Sequence, residues 1–386
     1  MEFRQGPVEE MVNGPLPFGG VFSGARVLIT GHTGFKGAWL TEWLLQLGAT
    51  VGGYSIDAPA SPALSAVLDW SGRIQHWTGD IGDRAALRQA FDAFQPQFVF
   101  HLAAQPLVRA SYADPVGTFR TNVLGTLEVL DAARTLGNPC TTVGITTDKC
   151  YENREWLHGY RECDPLGGHD PYSASKAAAE IAIASFRSSF LSGSKHRLAS
   201  ARAGNVIGGG DWAADRIVPD AMRARSAGRA IEVRNPGAIR PWQHVLEPLS
   251  GYLWLAARLH CATPENAVPL AGAFNFGPAV ESQRPVRDLV EEIANFWPGT
   301  WRDASDPTAP HEAGRLQLAI DKAHALLGWK PVWNFSTTVA ATVNWYRAAH
   351  ETPQPERLRD LTRGQIESYV SDARAAGLAW ARGVAP

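Results

Sequence analysis

The sequence predicts an α/β fold, with a doubly wound parallel sheet and a smaller, interleaved α/β domain. Two observations lead to this prediction. Through the first 205 residues, short apolar runs typical of buried parallel strands alternate with amphipathic helical segments. The first of these runs also passes directly through a glycine-rich turn into a helix. Regular alternation of this kind places helices on both faces of a parallel sheet.

The first strand, predicted over residues 26–30, is followed at once by GHTGFKG and then by a helix. Glycines at this spacing allow a sharp turn, let backbone N–H groups approach a pyrophosphate, and pack the helix against the sheet. The helix also directs its positive N-terminal end at the phosphates. The alternative is a plain tight turn. The order of strand, loop and helix favours a dinucleotide site, whose predicted contacts are Gly31, Thr33, Gly34, Phe35, Lys36 and Gly37.

The second predicted strand ends at Asp57. A carboxylate at this position can accept hydrogen bonds from both ribose hydroxyls of an adenosine, and it repels a 2′-phosphate. NAD is therefore favoured over NADP as the cofactor. The alternative is that Asp57 caps the loop that follows it.

Three more strands continue the alternation, over residues 74–81, 97–104 and 141–147, with helices predicted over 84–94 and 121–136. Ligands of doubly wound sheets bind outside the carboxyl ends of the strands, where the strand order reverses. Small residues after the fourth strand would let a cofactor ribose approach the backbone. The further cofactor contacts predicted at these strand ends are Asp80, Ile81, Ala103, Ala104, Gln105 and Thr146.

Beyond a helix over 172–190 and a sixth strand ending at Asn205, the pattern becomes less regular. A strand at 273–278 is expected to rejoin the sheet, and further helices are predicted over 215–230, 246–260, 285–296, 319–327 and 336–350. Residues 1–23 form a predicted N-terminal extension that is loosely ordered. The predicted domains are a cofactor-binding unit over 24–205, with return segments near 240–277, and a substrate-binding unit over 206–239 and 278–386.

The stretch 146–176 contains the residues best suited to chemistry. Tyr172 and Lys176 are four residues apart, so they share one face of a helix. A buried ammonium lowers the pKa of a nearby tyrosine, which can then take a proton from a substrate hydroxyl while hydride passes to a nicotinamide. Asp148 and Lys149 follow the fifth strand and should face the same crevice. The alternative for this second pair is a surface ion pair.

Several longer motifs support a family assignment. From residue 26 to 345 the chain resembles the extended short-chain dehydrogenase/reductase superfamily, and within it the sugar-nucleotide 4,6-dehydratases that act on CDP-glucose. GHTGFKG and YSASK are typical of the whole superfamily. The more specific segments are HLAAQPLVR, TNVLGT, TTDKCYEN, DPLGGHDPYS, ARAGNVIGGGDWA and RPWQHV.

The resemblance implies a cycle that consumes no cofactor: oxidation of the hexose at C4, loss of water from C5 and C6, and return of the hydride to C6. Tyr172 would be the base at the C4 hydroxyl, and Thr147 would bond the C4 oxygen. Asp148 matches the general acid. Lys149 stands where related dehydratases have a glutamate base, and it is either that base or an electrostatic stabiliser of the enolate. The substrate contacts implied are Gln105, Asn205, Arg216, Arg240 and His311.

The composition of the chain excludes several classes of protein. The formal net charge of −2 argues against a nucleic-acid-binding protein, and four cysteines and eleven histidines without ligand spacing argue against a metal site. No signal peptide or membrane span is evident, so a cytoplasmic protein is expected. The resemblance implies a homodimer through helices 121–136 and 172–190, and a tetramer stays open.

Three other functions remain open at this point. The first is a dehydratase for another nucleotide sugar, dTDP-glucose or GDP-mannose, because no residue here reads the base directly. The second is a sugar-nucleotide C4 epimerase, which would need Tyr172 and Lys176 but not Asp148 and Lys149. The third is an NAD-binding sensor or scaffold without catalysis.

Overall fold

The described part of the chain contains thirteen strands, seven of which form one sheet. The computed structural model describes residues 15–56, 62–306 and 314–386. In chain order the strands are β1 (Arg26–Thr30), β2 (Thr50–Ser55), β3 (Gln75–Thr78), β4 (Phe98–His101), β5 (Thr141–Ile145), β6 (Arg197–Arg202), β7 (Val206–Ile207), β8 (Ile231–Val233), β9 (Ile239–Pro241), β10 (Gln243–His244), β11 (Ala273–Asn275), β12 (Gln283–Pro285) and β13 (Trp301–Asp303).

The central sheet has the order β11-β6-β5-β4-β1-β2-β3, and every neighbouring pair is parallel. The strand order reverses between β1 and β4, so the loops after these strands diverge and leave a crevice at the carboxyl edge. β4 and β5 are buried along their whole length, as expected for parallel strands covered on both faces. The predicted doubly wound fold, including the returning strand β11, is confirmed.

Fourteen α-helices surround the sheet within the described residues. They are α1 (Phe35–Gln46), α2 (Leu64–Leu68), α3 (Arg84–Phe94), α4 (Val108–Ala113), α5 (Pro115–Phe119), α6 (Gly125–Arg134), α7 (Pro171–Phe190), α8 (Ile217–Ser226), α9 (Leu246–Cys261), α10 (Pro264–Leu270), α11 (Val286–Phe296), α12 (Asp321–Leu327), α13 (Phe335–Glu351) and α14 (Pro355–Ala375). Helices α3, α6 and α7 cover one face of the sheet, and α1 and α9 cover the other. None of the helices in these ranges has the length and apolar character needed to span a bilayer.

Three small two-stranded sheets stand apart from the central one. β7 pairs with β10 and β8 with β13 in parallel, while β9 pairs with β12 in antiparallel orientation. They lie in the part of the chain where the regular alternation of strand and helix ends. This region extends from the carboxyl edge of the sheet, because β7 follows β6 after only a short turn.

Two features differ from the sequence-based expectation. The helix predicted over 121–136 begins as a π-helical turn, Arg120–Leu124, before α6. The described part of the N-terminal extension is packed, because Phe18 and Phe22 are buried and the Phe18 ring stacks on Trp380 with 5.0 Å between ring centroids. Burial of two aromatic rings stabilises this segment against the core.

The C-terminal helix α14 was not predicted, and a buried carboxyl group links it to α9. Glu247 on α9 is inaccessible to solvent, and it accepts hydrogen bonds from the Trp333 backbone N–H at 2.7 Å and from the Tyr369 hydroxyl of α14 at 2.7 Å. Burial raises the pKa of Glu247 to about 7, although these donors oppose the shift. The link between α9 and α14 therefore includes a carboxyl that resists ionisation.

Replacing Glu247 with Gln should make stability less dependent on pH. Between about pH 4.5 and pH 7 the folded protein keeps this proton and the unfolded chain releases it, so the free energy of unfolding falls as the pH rises. The shift corresponds to roughly 2–4 kcal/mol. We expect Glu247→Gln to gain that amount relative to wild type between pH 5 and pH 8 in urea unfolding.

Glu291→Gln, on the exposed face of α11, is the matched control and should follow wild type at both pH values. Equal pH dependence in wild type and Glu247→Gln would contradict the assignment.

Candidate active site

The glycine loop after β1 lies against the end of β4. Gly31 has a φ of +75°, and a Cβ atom there would lie 2.7 Å from the Ala103 backbone nitrogen. A Cβ at Gly37 would overlap the Gly31 carbonyl oxygen. Glycine is required at both positions because the backbone is left-handed at one and tightly approached at both. Helix α1 then begins at Phe35 without a side-chain cap, so its first N–H groups can bind an anion.

Polar side chains gather beside this loop at the end of β2. The Thr33 and Ser55 hydroxyls are hydrogen-bonded at 2.7 Å, and His32 Nε2 lies 2.8 Å from His76 Nδ1. Burial and the neighbouring His76 lower the pKa of His32 to about 4. This edge therefore presents two hydroxyls and, at His32, an imidazole that stays neutral near pH 7. Asp57, the predicted ribose ligand, lies outside the described residues.

The predicted contacts after β3 and β4 have separate roles in the structure. Asp80 is exposed and accepts the Gly82 N–H at 2.7 Å, whereas Ile81 is buried against α6. The Gln105 amide is bonded to the Thr118 hydroxyl at 2.9 Å, and its side-chain oxygen accepts the Leu107 N–H. Gln105 thus stabilises the loop in which it lies. Ala103 and Ala104 are half-buried at the end of this loop, and their contact with a cofactor stays a prediction.

The end of β5 directs a hydroxyl and a carboxyl inward. Thr147 caps the short turn that follows, accepting the Lys149 N–H at 3.3 Å and donating to Asp148 Oδ1 at 3.0 Å. Asp148 is only 1% exposed, and its Oδ2 has no hydrogen-bond partner among the residues that the structure describes. A Cβ at Gly204 would overlap this carboxylate. Lys149, by contrast, is exposed.

Helix α7 places the tyrosine and lysine in the same crevice. Asp170 caps the helix by accepting the Ser173 N–H at 2.9 Å, and Tyr172 and Lys176 are buried one turn apart. Lys176 Nζ donates to the Ile145 carbonyl at 3.3 Å, which fixes the lysine beside the end of β5. The structure therefore brings Tyr172 and Lys176 to the same strand end as Thr147 and Asp148.

The surroundings shift the pKa values of both groups. Burial lowers the pKa of Lys176 to about 8, and the nearby Glu180 carboxylate opposes this shift. Burial raises the pKa of Tyr172 to about 12, against the effect of a hydrogen bond with Thr147 and the positive charge of Arg216. Lys176 therefore stays largely protonated near neutral pH, one helical turn from the buried phenol of Tyr172.

Two other cations lie close to these residues, Lys36 near Asp148 and Arg216 near Tyr172. The Lys36 ammonium of the glycine loop has its pKa lowered to about 8 by burial and by Arg216, while Asp148 acts in the opposite direction. Arg216 is held by Asp211 at 2.8 Å and is close enough to influence Tyr172. Asp211, from the GGGDW motif, was not predicted as a site residue, although its charge next to three glycines was a usable signal.

The remaining predicted substrate contacts are distributed along the region beyond β6. Asn205 has a positive φ of +49°, and its carbonyl accepts the Gln243 N–H at 3.4 Å. Arg240 lies on β9 and donates to the carbonyls of Ile239 at 3.0 Å and Gly314 at 3.3 Å. His311 lies outside the described residues. In the described ranges, no three metal-ligating side chains converge.

Comparisons with known proteins agree with this geometry. The sequence model of the GDP-mannose 4,6-dehydratase family matches residues 28–342. A CDP-glucose 4,6-dehydratase from Salmonella typhimurium (strain LT2) is 45% identical over 357 residues, covering 91% of this chain and 97% of the relative. The chain belongs to this dehydratase family. The resemblance inferred from the motifs is therefore confirmed at the level of the family.

Solved structures share the fold of this dehydratase family member. The dTDP-glucose 4,6-dehydratase from Bacillus anthracis, in complex with NAD, has a TM-score of 0.71 at 21% identity and covers 85% of this chain and 98% of its own. The UDP-glucose 4-epimerase from Thermus thermophilus, also in complex with NAD, has a TM-score of 0.70 at 25% identity, with coverage of 84% and 99%. Dehydratases and epimerases thus share the scaffold, and the site residues must distinguish them.

Proposed function

We propose that the chain is an NAD-dependent CDP-glucose 4,6-dehydratase, which converts CDP-D-glucose to CDP-4-keto-6-deoxy-D-glucose and water. The observation that carries the proposal is the convergence of Asp148 with Tyr172 and Lys176 in one crevice. An epimerase has no use for a buried acid at this position, whereas elimination of water needs one. The Salmonella typhimurium relative bears the name of this activity.

The glycine loop, the uncapped start of α1 and the hydroxyls of Thr33 and Ser55 suit a dinucleotide. Gly31 and Gly37 permit the tight turn that leads the backbone N–H groups of the loop into the start of α1, and Lys36 adds a positive charge. Bound there, NAD would supply a reversible hydride acceptor for the sugar. We assign this role to residues 24–205, and substrate binding to 206–239 and 278–386.

Tyr172 acts as the base in the first step. The Lys176 ammonium stabilises the Tyr172 phenolate, which removes the proton of the C4 hydroxyl and becomes a neutral phenol. Because burial raises the pKa of Tyr172 to about 12, this nearby positive charge is needed for the phenolate to form. The Thr147 hydroxyl forms a hydrogen bond with the same C4 oxygen and thereby holds the C4 atom in place.

Asp148 supports the second step as the acid. A 4-ketone makes the C5 proton acidic, and loss of water then needs a proton at the departing C6 hydroxyl. The unbonded Oδ2 of the buried Asp148 carboxyl is suited to deliver that proton. Lys149 follows directly and either takes the C5 proton or stabilises the enolate by its charge.

For substrate binding, the structure offers a row of polar groups beyond β6. Arg216 and Arg240 are suited to the pyrophosphate because a guanidinium donates two hydrogen bonds in fixed geometry. Asn205 and Gln105 complete the proposed contacts, and His311 remains a proposed contact outside the described residues. The four cysteines are unpaired, which supports a reducing, cytoplasmic setting.

Turnover of a nucleotide-sugar panel tests the proposal. We expect the purified protein to carry bound NAD and to convert CDP-glucose to a 4-keto-6-deoxy sugar, detected by near-ultraviolet absorbance after alkali. dTDP-glucose and GDP-mannose should react at least tenfold more slowly, a difference of about 1.4 kcal/mol. Formation of CDP-galactose would instead identify an epimerase, and NAD binding without turnover would identify a sensor.

Two substitutions of Lys149 separate its alternative roles. Lys149→Ala should allow C4 oxidation but slow water loss by about 10²–10⁴-fold, whichever role the lysine has. Lys149→Arg keeps the charge but cannot release a proton near neutral pH. Near-normal water loss in Lys149→Arg would identify an electrostatic stabiliser, whereas a loss as large as that in Lys149→Ala would identify the base. Turnover of Lys149→Ala at the wild-type rate would exclude both roles.

We also propose a homodimer formed by the surface of α4 to α7. Six large apolar side chains are exposed on this surface, and they are Tyr112, Val116, Phe119, Leu124, Ile181 and Phe190. A concentration of exposed apolar residues on adjacent helices is typical of a protein–protein interface. Helix α6 packs directly on α7, so a second copy can cover both helices. A tetramer would require a further surface.

Charged substitutions test the dimer. We expect Leu124→Lys combined with Ile181→Lys to convert a dimer to a monomer in sedimentation velocity, because two buried ammonium groups on each side would oppose association. Val268→Lys is the matched control, since Val268 is 74% exposed on α10 and lies outside this surface. A monomeric wild type, or a dimer that survives the double substitution, would contradict the proposal.

A further inference from the structure

A buried ion pair lies directly behind the proposed active site. Glu180 and Arg202 are each 3% exposed, and Arg202 donates to Glu180 Oε2 at 2.8 Å. Two hydroxyls complete the coordination of the carboxylate: Ser200 donates to Oε2 at 2.8 Å, and Thr146 donates to Oε1. A fully buried pair of charges is often no more stable than apolar residues of the same size. The function of this ion pair is therefore to be sought in the residues that it holds in place.

The carboxylate of this pair lies on the same helix face as the proposed catalytic residues. Tyr172, Lys176 and Glu180 follow one another at intervals of four residues on α7, so their side chains lie in a row. Thr146, which donates to Glu180, follows Ile145, whose carbonyl accepts the Lys176 ammonium. Glu180 and Lys176 thus hold consecutive residues at the end of β5.

The guanidinium reaches the other end of the same segment. Arg202 donates to the Tyr151 hydroxyl at 2.7 Å, and its guanidinium lies 4.9 Å from the centre of the Tyr151 ring. The Tyr151 hydroxyl in turn donates to Asn275 Oδ1 at 2.7 Å on β11. Thr146 and Tyr151 lie on either side of Asp148 and Lys149, so the pair fixes both ends of the short segment that carries these residues.

We propose that the Glu180–Arg202 pair is a positioning unit that fastens the segment 146–151 to α7, and thereby holds the elimination residues at a fixed place relative to Tyr172 and Lys176. The inference rests on the proposed function. Neither Glu180 nor Arg202 touches the reacting atoms. Because C4 oxidation and water loss occur on one bound sugar, a shift of Asp148 relative to Tyr172 would spoil the second step without preventing the first.

The charge of Glu180 also acts on Lys176. The charged or titratable groups that face this lysine are Glu180 on its own helix, Cys150 in the turn after β5, Lys36 at the start of α1, and His101 at the end of β4. Among them, only Glu180 is an ionised carboxylate that opposes the effect of burial on the lysine. Burial would raise the pKa of Glu180 itself, but Arg202, Thr146 and Ser200 lower it and keep it charged.

Removing one hydroxyl tests the positioning role. Tyr151→Phe keeps the ring and deletes the hydrogen bonds to Arg202 and Asn275. In a single turnover with CDP-glucose, we expect normal formation of reduced nicotinamide but water loss slowed on the order of 10- to 100-fold. Tyr160→Phe is the matched control, because Tyr160 is equally buried in the same cluster and its hydroxyl bonds Asn153 and the Arg154 N–H.

Removing the charge tests the second effect. We expect Glu180→Gln to lower the pKa of Lys176 by about one unit. The titration is measured by nuclear magnetic resonance of the lysine side chains in protein without substrate. The control is Glu247→Gln, a buried carboxylate away from the crevice. If Glu180→Gln does not fold, Tyr151→Phe decides the proposal alone.

The outcomes are distinct. If the rate of water loss relative to C4 oxidation is the same in Tyr151→Phe and Tyr160→Phe, the positioning role is wrong. If the titration of Lys176 is unchanged in Glu180→Gln, the electrostatic role is wrong. If wild-type protein converts none of the nucleotide sugars, the proposed function fails instead, and the titration of Lys176 still tests the pair.

Discussion

The parallel register of β1, β4 and β5 is the constraint on which the rest of the site depends. Because these strands are adjacent and run in the same direction, their carboxyl ends reach one edge of the sheet together. The glycine loop, the loop after β4 and the segment from Thr146 must therefore share one crevice. Helix α7 completes it because it packs beside β5 and β6. No single segment contains the whole site. The sheet brings four segments together to form it.

The crevice concentrates charge in the protein interior. Lys36 is close enough to interact with the buried Asp148, and burial lowers the pKa values of both Lys36 and Lys176. Such an arrangement is unfavourable for folding unless opposite charges and hydrogen bonds compensate for the lost water. The compensation comes from residues fixed by the sheet and by α7. Stability generated by the large aromatic and aliphatic core thus supports a crevice that would not be stable alone.

Much of this architecture could be predicted from local sequence pattern. The order of strand, glycine loop and helix located the start of the fold, and the position of Asp148 after an apolar run placed it at the edge of the sheet. The partnership of Glu180 and Arg202 could not be predicted, because it depends on β5, β6 and α7 being neighbours in space. Asp57 and His311 lie outside the described residues and remain predictions.

Helix α14 was missed for a different reason. Its buried positions, Leu358, Thr362, Ile366, Tyr369 and Ala373, recur at helical spacing, but they are separated by many charged residues that lower the mean hydropathy of the segment. The helical periodicity is present in the sequence, but the apolar face of the helix is narrow. Packing against α1 and α9, rather than intrinsic hydrophobicity, makes the helix stable.

The aromatic contact between Phe18 and Trp380 affects the order in which the molecule can be completed during synthesis. Phe18 and Trp43 leave the ribosome early, but Tyr369 and Trp380, which pack on them, are translated near the end of the described sequence. Until then one side of α1 has no cover, and the nascent chain exposes indole and phenyl rings to other proteins. Contacts between such distant residues form late. This aromatic cluster is therefore complete only after α14 and Trp380 have been translated.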